Sequence, residues 1–170
     1  LEDVKNKNVA LVQSFYGDVQ HCIVEVIFAA YTAKELGAKK VILLAPYFPY
    51  LRQDERFKAG ECISIKAASD LIDKYFDAIM IVDPHLHRQT SLGHIFKIKA
   101  IMLSANNEIA NYIKNNFKAP VLIGPDWESY KWAQRVGDLI NAKSYIAEKK
   151  RYSSHHVKVT LNKEMDIKNK

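Results

Sequence analysis

Apolar residues along this chain fall into two alternating patterns, short unbroken runs and longer stretches with helical spacing. Asn8-Val-Ala-Leu-Val-Gln13 is a short apolar run with polar ends, which predicts a strand. From Val19 the apolar positions Cys22, Ile23, Val26, Ile27, Ala30 and Ala33 recur every three or four residues and predict a helix, with Gly37 as its stop. Lys40-Val-Ile-Leu-Leu-Ala45 and Ala78-Ile-Met-Ile-Val82 have the continuous apolar character of parallel strands covered on both faces. Between them, Ala68, Leu71, Ile72 and Tyr75 form the buried stripe expected of a helix. Apolar order resumes at Ile98 to Leu103, and a helix from about Ala105 to Phe117 is expected to bury Ile109 and Ile113. Pro120 to Gly124 reads as a strand, Trp132, Val136, Leu139 and Ile140 as the inner face of a further helix, and Ser144 to Ala147 and His156 to Leu161 as short strands. Strands and helices alternating in this way imply an α/β doubly wound architecture with a parallel sheet and right-handed crossovers. A domain boundary is expected near residue 97.

Composition narrows the class. A chain of 170 residues with 48% apolar content can bury a core. It has no uncharged apolar run of about 18 residues, and Leu1-Glu2-Asp3-Val4 is acidic, so a membrane span and a signal peptide are not expected. The expectation is a soluble, cytoplasmic protein. Cys22 and Cys62 both sit in helical patterns without C-x-x-C spacing and read as buried, reduced thiols. A formal net charge of +6 favours phosphate-bearing partners, either nucleic acid or small phosphorylated metabolites. Much of it lies in Lys149-Lys150-Arg151 and in the tail Lys163 to Lys170; a solvated face or frayed end is the plainer reading of the tail, whereas for Lys149 to Arg151 a functional role is favoured over it.

Four local groups directly follow predicted strands, and ligands of open α/β sheets sit outside the carboxyl ends of strands. The first is the aromatic loop beginning at Ala45, with the cations Arg52, Arg56 and Lys58. Within it, Arg52 can pair with phosphate or stack on a purine, and Gln53 can read base edges; a mobile loop with solvated charges is the alternative. The second, Asp83-Pro-His85-Leu-His87-Arg88, has alternate histidines that could face a metal, or be ordinary polar residues. The third is Gly124-Pro125-Asp126, whose carboxylate suits magnesium beside a polyphosphate or, equally, the N-cap of a helix. The fourth is Glu148-Lys149-Lys150-Arg151, whose cations could stabilise charge in phosphoryl or diphosphoryl transfer.

The string Pro46-Tyr-Phe-Pro-Tyr-Leu-Arg52-Gln53-Asp54 closely resembles the nucleotide-binding loop of the ribose-phosphate pyrophosphokinases, Pro-Tyr-Phe-x-Tyr-x-Arg-Gln-Asp. The other three groups follow in that family's order: Asp-x-His at Asp83 to His85, Gly-Pro-Asp at Gly124 to Asp126, and Lys-x-Arg at Lys149 to Arg151. Trp127-Glu128-Ser129 stands where many members carry a glycine pair, a departure that resembles archaeal-type members. The resemblance implies two incomplete tandem phosphoribosyltransferase-like, Rossmann-like domains, with 1–97 the remainder of the first and 98–170 the start of the second. It implies ATP binding by Arg52, Gln53 and Asp54, magnesium binding by His85 and Asp126, and a catalytic Lys149 assisted by Arg151, which also contacts the ribose phosphate. His87 receives no role. The implied reaction is ATP plus ribose 5-phosphate giving AMP and 5-phosphoribosyl 1-diphosphate, in a homodimer or higher homo-oligomer, with Mg²⁺ as cofactor and no nucleic-acid or membrane partner.

Two family elements are not found in the chain: a Phe-x-Asp-Gly-Glu hairpin expected before Leu1, and the acidic, Thr/Gly-rich ribose-phosphate loop expected beyond Lys170. The expectation is therefore a fragment, or an incompletely represented chain, of a longer enzyme. A non-catalytic regulatory homologue and a phosphoribosyltransferase are the alternative readings.

Overall fold

A computed structural model describes residues 3–86, 91–151 and 157–161. The chain divides into two compact units, Leu1–Ser104 and Ala105–Lys170.

In the first unit four parallel strands lie in sequence order: β1 (Asn8–Val12), β2 (Lys40–Ala45), β3 (Ala78–Val82) and β4 (Lys99–Leu103). The helices α1 (Val19–Glu35) and α2 (Ser64–Tyr75) make the first two crossovers. Val41, Leu43, Ile79 and Ile81 are fully buried, as the unbroken apolar runs require. Each such side chain contributes roughly 1.5–3 kcal/mol on leaving water. Asp18 caps α1 by accepting the His21 N–H at 3.1 Å. At the other end Gly37, at φ 85°, allows the Gly37 and Ala38 N–H groups to satisfy Lys34 and Ala33, a Schellman closure. Asp77 then locks the start of β3 to β2, its carboxylate accepting the Val41 N–H at 2.7 Å while its own N–H donates to Val41 O at 2.8 Å.

The unit extends past residue 97, where the sequence pattern puts the boundary. Asp73 on α2 accepts the N–H groups of Lys97 and Ile98, and β4 then pairs with β3 from Ala78↔Lys99 to Val82↔Leu103. Residues 98–103 therefore complete the first sheet, and the division falls after Ser104.

The second unit holds α3 (Asn106–Asn116), β5 (Leu122–Gly124), α4 (Trp127–Ile140) and β6 (Ser144–Ile146), with β5 and β6 parallel. Two glycines set how closely α4 packs. A Cβ on Gly124 would lie 2.7 Å from Tyr130 Cα, and one on Gly137 would collide with Ser144 Oγ. The strands β7 (Glu148–Arg151) and β8 (Val157–Thr160) pair antiparallel, from Glu148↔Thr160 to Arg151↔Val157.

Several apolar positions face differently from expectation. Leu71, Ile109 and Leu139 are 42%, 45% and 52% exposed, and the inward positions are Ile65, Ala68, Ser69 and Ile72 on α2 and Asn106 and Ala110 on α3. On α4, Val136 and Gly137 are buried. Cys22 is buried on α1 as read, whereas Cys62 is exposed and precedes α2; both are free thiols. Among the described residues, no helix is long and apolar enough to cross a membrane.

Candidate functional site

The aromatic loop is pinned to the first unit's core. Phe48 is buried and meets Phe15 and Phe96 edge-on, with ring centroids 5.3 and 5.5 Å away, and Leu51 is buried after it. Tyr50 takes a left-handed φ of 62° and accepts the Gln53 N–H at 2.9 Å, turning the chain so that Arg52 stands at the surface. Gln53 is held from α2: Ser64 Oγ donates to its Oε1 at 3.1 Å, and the Ile65 N–H donates to its carbonyl at 3.5 Å. Farther along, Arg56 Nε donates to Glu61 O at 2.8 Å, so this cation helps to close the loop on itself.

Arg52 and Gln53 line a cavity of 380 Å³ together with the end of β3, Asp83, Pro84 and His85. Tyr47, Phe48 and Tyr50 supply apolar and aromatic surface to the same space. An open cavity with a guanidinium, a carboxamide and an imidazole over aromatic rings suits a planar, anionic ligand. Asp54 is half-buried beside Gln53 and lies outside the residues lining this cavity. The second histidine, His87, and Arg88 fall outside the described residues. Asp83, given no role of its own by the resemblance, lines the cavity and is fixed by a hydrogen bond of 2.9 Å from Ser104 Oγ.

In the second unit Asp126 is both an N-cap and an ion-pair partner. It begins α4 with a capping box: the Ser129 N–H donates to Asp126 Oδ1 at 2.9 Å, and the Asp126 N–H donates to Ser129 Oγ at 3.0 Å. Its Oδ2 accepts from Lys149 Nζ at 2.9 Å. The Lys149 hydrogen bond, then those from the Ser129 hydroxyl and backbone, hold the Asp126 carboxyl well below the usual carboxylate range. Sequence separation conceals this pairing, and the sole hint in the residues is that each follows a predicted strand. Arg151 ends β7 opposite Val157, and its side chain falls outside the described part.

Among the described residues no group of three or more His, Cys, Asp and Glu could cage a metal. That donor set suits magnesium all the same, because this ion keeps several waters and takes only one or two protein ligands beside substrate phosphates. Asp126 Oδ1 already accepts from both the Ser129 N–H and the Ser129 hydroxyl, whereas Oδ2, which accepts from Lys149, retains a lone pair for a metal or its water.

Residues 1–75 match the family described as the N-terminal domain of ribose phosphate pyrophosphokinase. The ribose-phosphate pyrophosphokinase of Saccharolobus solfataricus is 31% identical over 170 residues, covering 98% of this chain and 57% of its own length. That of Methanopyrus kandleri is 33% identical over 161 residues, with 94% and 54% covered. The chain thus spans about half the length of these curated relatives. Its fold is shared with the crystal structure of phosphoribosylpyrophosphate synthetase from Mycobacterium smegmatis, at a TM-score of 0.73 and 23% identity over 94% of this chain and 52% of that one. By sequence, the chain is similar to the ribose-phosphate pyrophosphokinases over about half their length, and residues 1–75 match the model of that family's N-terminal domain.

Proposed function

We propose that this chain carries the ATP-handling and diphosphoryl-transfer groups of a ribose-phosphate diphosphokinase, acting in nucleotide biosynthesis. The observation that carries the reading is the shared cavity of Arg52, Gln53 and His85, built from the ends of two adjacent parallel strands. In it the Arg52 guanidinium pairs with phosphate or stacks on the base, and Gln53, already oriented by Ser64, reads the base edge. Asp54 supports the same loop.

In the reaction the anomeric hydroxyl of ribose 5-phosphate attacks the β-phosphorus of ATP, and AMP leaves. Charge grows on the transferred group and the leaving oxygen, and fixed cations stabilise that charge more than they stabilise the ground state. Lys149 takes this role, with its ammonium held at 2.9 Å from Asp126, and Arg151 on the same strand assists with phosphate. His85 in the first unit and Asp126 in the second would each offer a ligand to magnesium, which when bound would neutralise phosphate charge. The two units are read as successive phosphoribosyltransferase-like domains, since each contains parallel strands joined through a helix. Assembly into a homo-oligomer in the cytoplasm belongs to the same proposal.

The test is AMP formation from ATP in the natural full-length protein, measured with and without ribose 5-phosphate and Mg²⁺. Release that requires both supports the reading; no release under any of these conditions ends it.

A further inference from the structure

Asp83 follows β3 with φ at 41°, in the left-handed region that residues with a Cβ seldom occupy. Pro84 comes next and narrows its choices further. Such a backbone persists only where neighbours hold it. Here two contacts come from the end of β4: the Asp83 N–H donates to Leu103 O at 2.9 Å, and Ser104 Oγ donates to Asp83 Oδ1 at 2.9 Å. A serine just ahead of a helix ordinarily serves as its cap. For α3 the N-cap position is Ala105 and no side chain caps it, so the Ser104 hydroxyl is turned toward Asp83 instead.

The turn at Asp83 determines where the next two residues go, and Asp83, Pro84 and His85 together form one wall of the Arg52 cavity. We infer that Ser104 is a positioning residue for this cavity: its hydroxyl clamps Asp83 in the left-handed turn and thereby fixes His85 in the cavity that Arg52 and Gln53 also line. The identity of the ligand, Mg-ATP, rests on the function proposed above; the clamp itself does not. Ser104 is exposed and makes no part of the first unit's core, so its hydroxyl can be removed without opening a cavity.

The experiment compares the chain with its Ser104→Ala and Ser104→Thr forms by two readouts. In imidazole ¹H–¹⁵N spectra without nucleotide, with His85 assigned through its loss in His85→Gln, Ser104→Ala is expected to shift or broaden the His85 signal. The signals of His21 and His94 should stay in place, and threonine, which keeps the hydroxyl, should restore His85. In calorimetric titration with Mg-ATP, Ser104→Ala should weaken binding about five- to tenfold, the effect of one lost hydrogen bond, and threonine should recover it. An unmoved His85 signal, or displacement of every histidine signal together with loss of folding, overturns the inference. So does unchanged Mg-ATP affinity in Ser104→Ala when the parent chain binds. A parent chain that does not bind Mg-ATP but whose His85 responds selectively to Ser104→Ala sinks the nucleotide reading and supports the clamp.

Discussion

Replacing Asp126 by asparagine and by alanine separates its two structural jobs. Asparagine is as good an N-cap as aspartate and can still accept the Ser129 N–H, so Asp126→Asn removes the charge and keeps the cap. Alanine removes both. At the observed 2.9 Å the attraction to Lys149 is about 1.4 kcal/mol in a fully aqueous dielectric. The two side chains are 29% and 33% exposed, so ordering and residual screening reduce the net to about 1 kcal/mol. Loss of the cap adds about 1 kcal/mol, giving about 2 kcal/mol for Asp126→Ala. Trp127 and Trp132, the chain's two tryptophans, both lie on α4, so tryptophan fluorescence in urea reads the second unit alone. The carboxyl is held below its usual range, so its contribution is complete above the unfolded value near pH ~4 and declines as pH falls through the lower folded value. The gap between parent and Asp126→Asn should therefore be flat from pH 7 to 5 and narrow only in stronger acid. Equal stability of the asparagine and alanine forms would refute the cap, and a parent no more stable than Asp126→Asn at pH 7 would refute the ion pair.

Arg52→Ala should weaken ATP binding by about tenfold in a calorimetric titration, the loss of one charge-assisted contact, and unchanged affinity would remove Arg52 from the site. Lys149→Ala in the full-length protein should lower kcat by about 100-fold or more while ATP affinity changes little, as for a cation used mainly in the transition state. A matched loss of binding and turnover would contradict that role. Gly124→Ala should destabilise the second unit by about 1–3 kcal/mol, read by the same fluorescence, because its Cβ would lie 2.7 and 2.8 Å from the backbone of Tyr130. A neutral effect would mean that α4 can move off β5 at no cost.

What the sequence reveals depends on how many faces of an element are buried. β2 and β3 are readable to the residue, because both faces are covered and the apolar run has sharp ends. Helices are readable as helices but their inward faces are not: Leu71 and Ile72 are equally apolar, and packing against the sheet, not spacing, selects Ile72. Likewise the run 98–103 reads as a strand, but nothing in it says which sheet it joins; that depends on Asp73 and Lys97, 24 residues apart. Cys62 shows the same limit, since proximity to a helical pattern did not make it part of α2. At the site, the Arg52 loop and the capping position of Asp126 are legible from local chemistry. The left-handed Asp83, its Ser104 partner and the Lys149–Asp126 pair are products of tertiary register, which residue types do not encode locally.

That register explains why groups so distant in sequence meet twice. In adjacent parallel strands both chains leave the sheet at the same edge, whereas in antiparallel neighbours they leave at opposite ends. Ala45 stands opposite Ile81, so the loop after β2 and the turn after β3 emerge side by side and Arg52 and His85 line one cavity. In the second unit Gly124 stands opposite Ile146, Asp126 is two residues beyond the first and Lys149 three beyond the second. Level strand ends thus deliver the carboxylate and the ammonium to 2.9 Å, and the capping box fixes the carboxylate independently of the lysine. Because β7 turns antiparallel against β8 immediately afterwards, Lys149 is anchored at Val159 as well as by its charge. Backbone pairing therefore fixes the Lys149 Cα independently of the ion pair, so Asp126→Asn should free the ammonium while leaving the base of the lysine side chain in place.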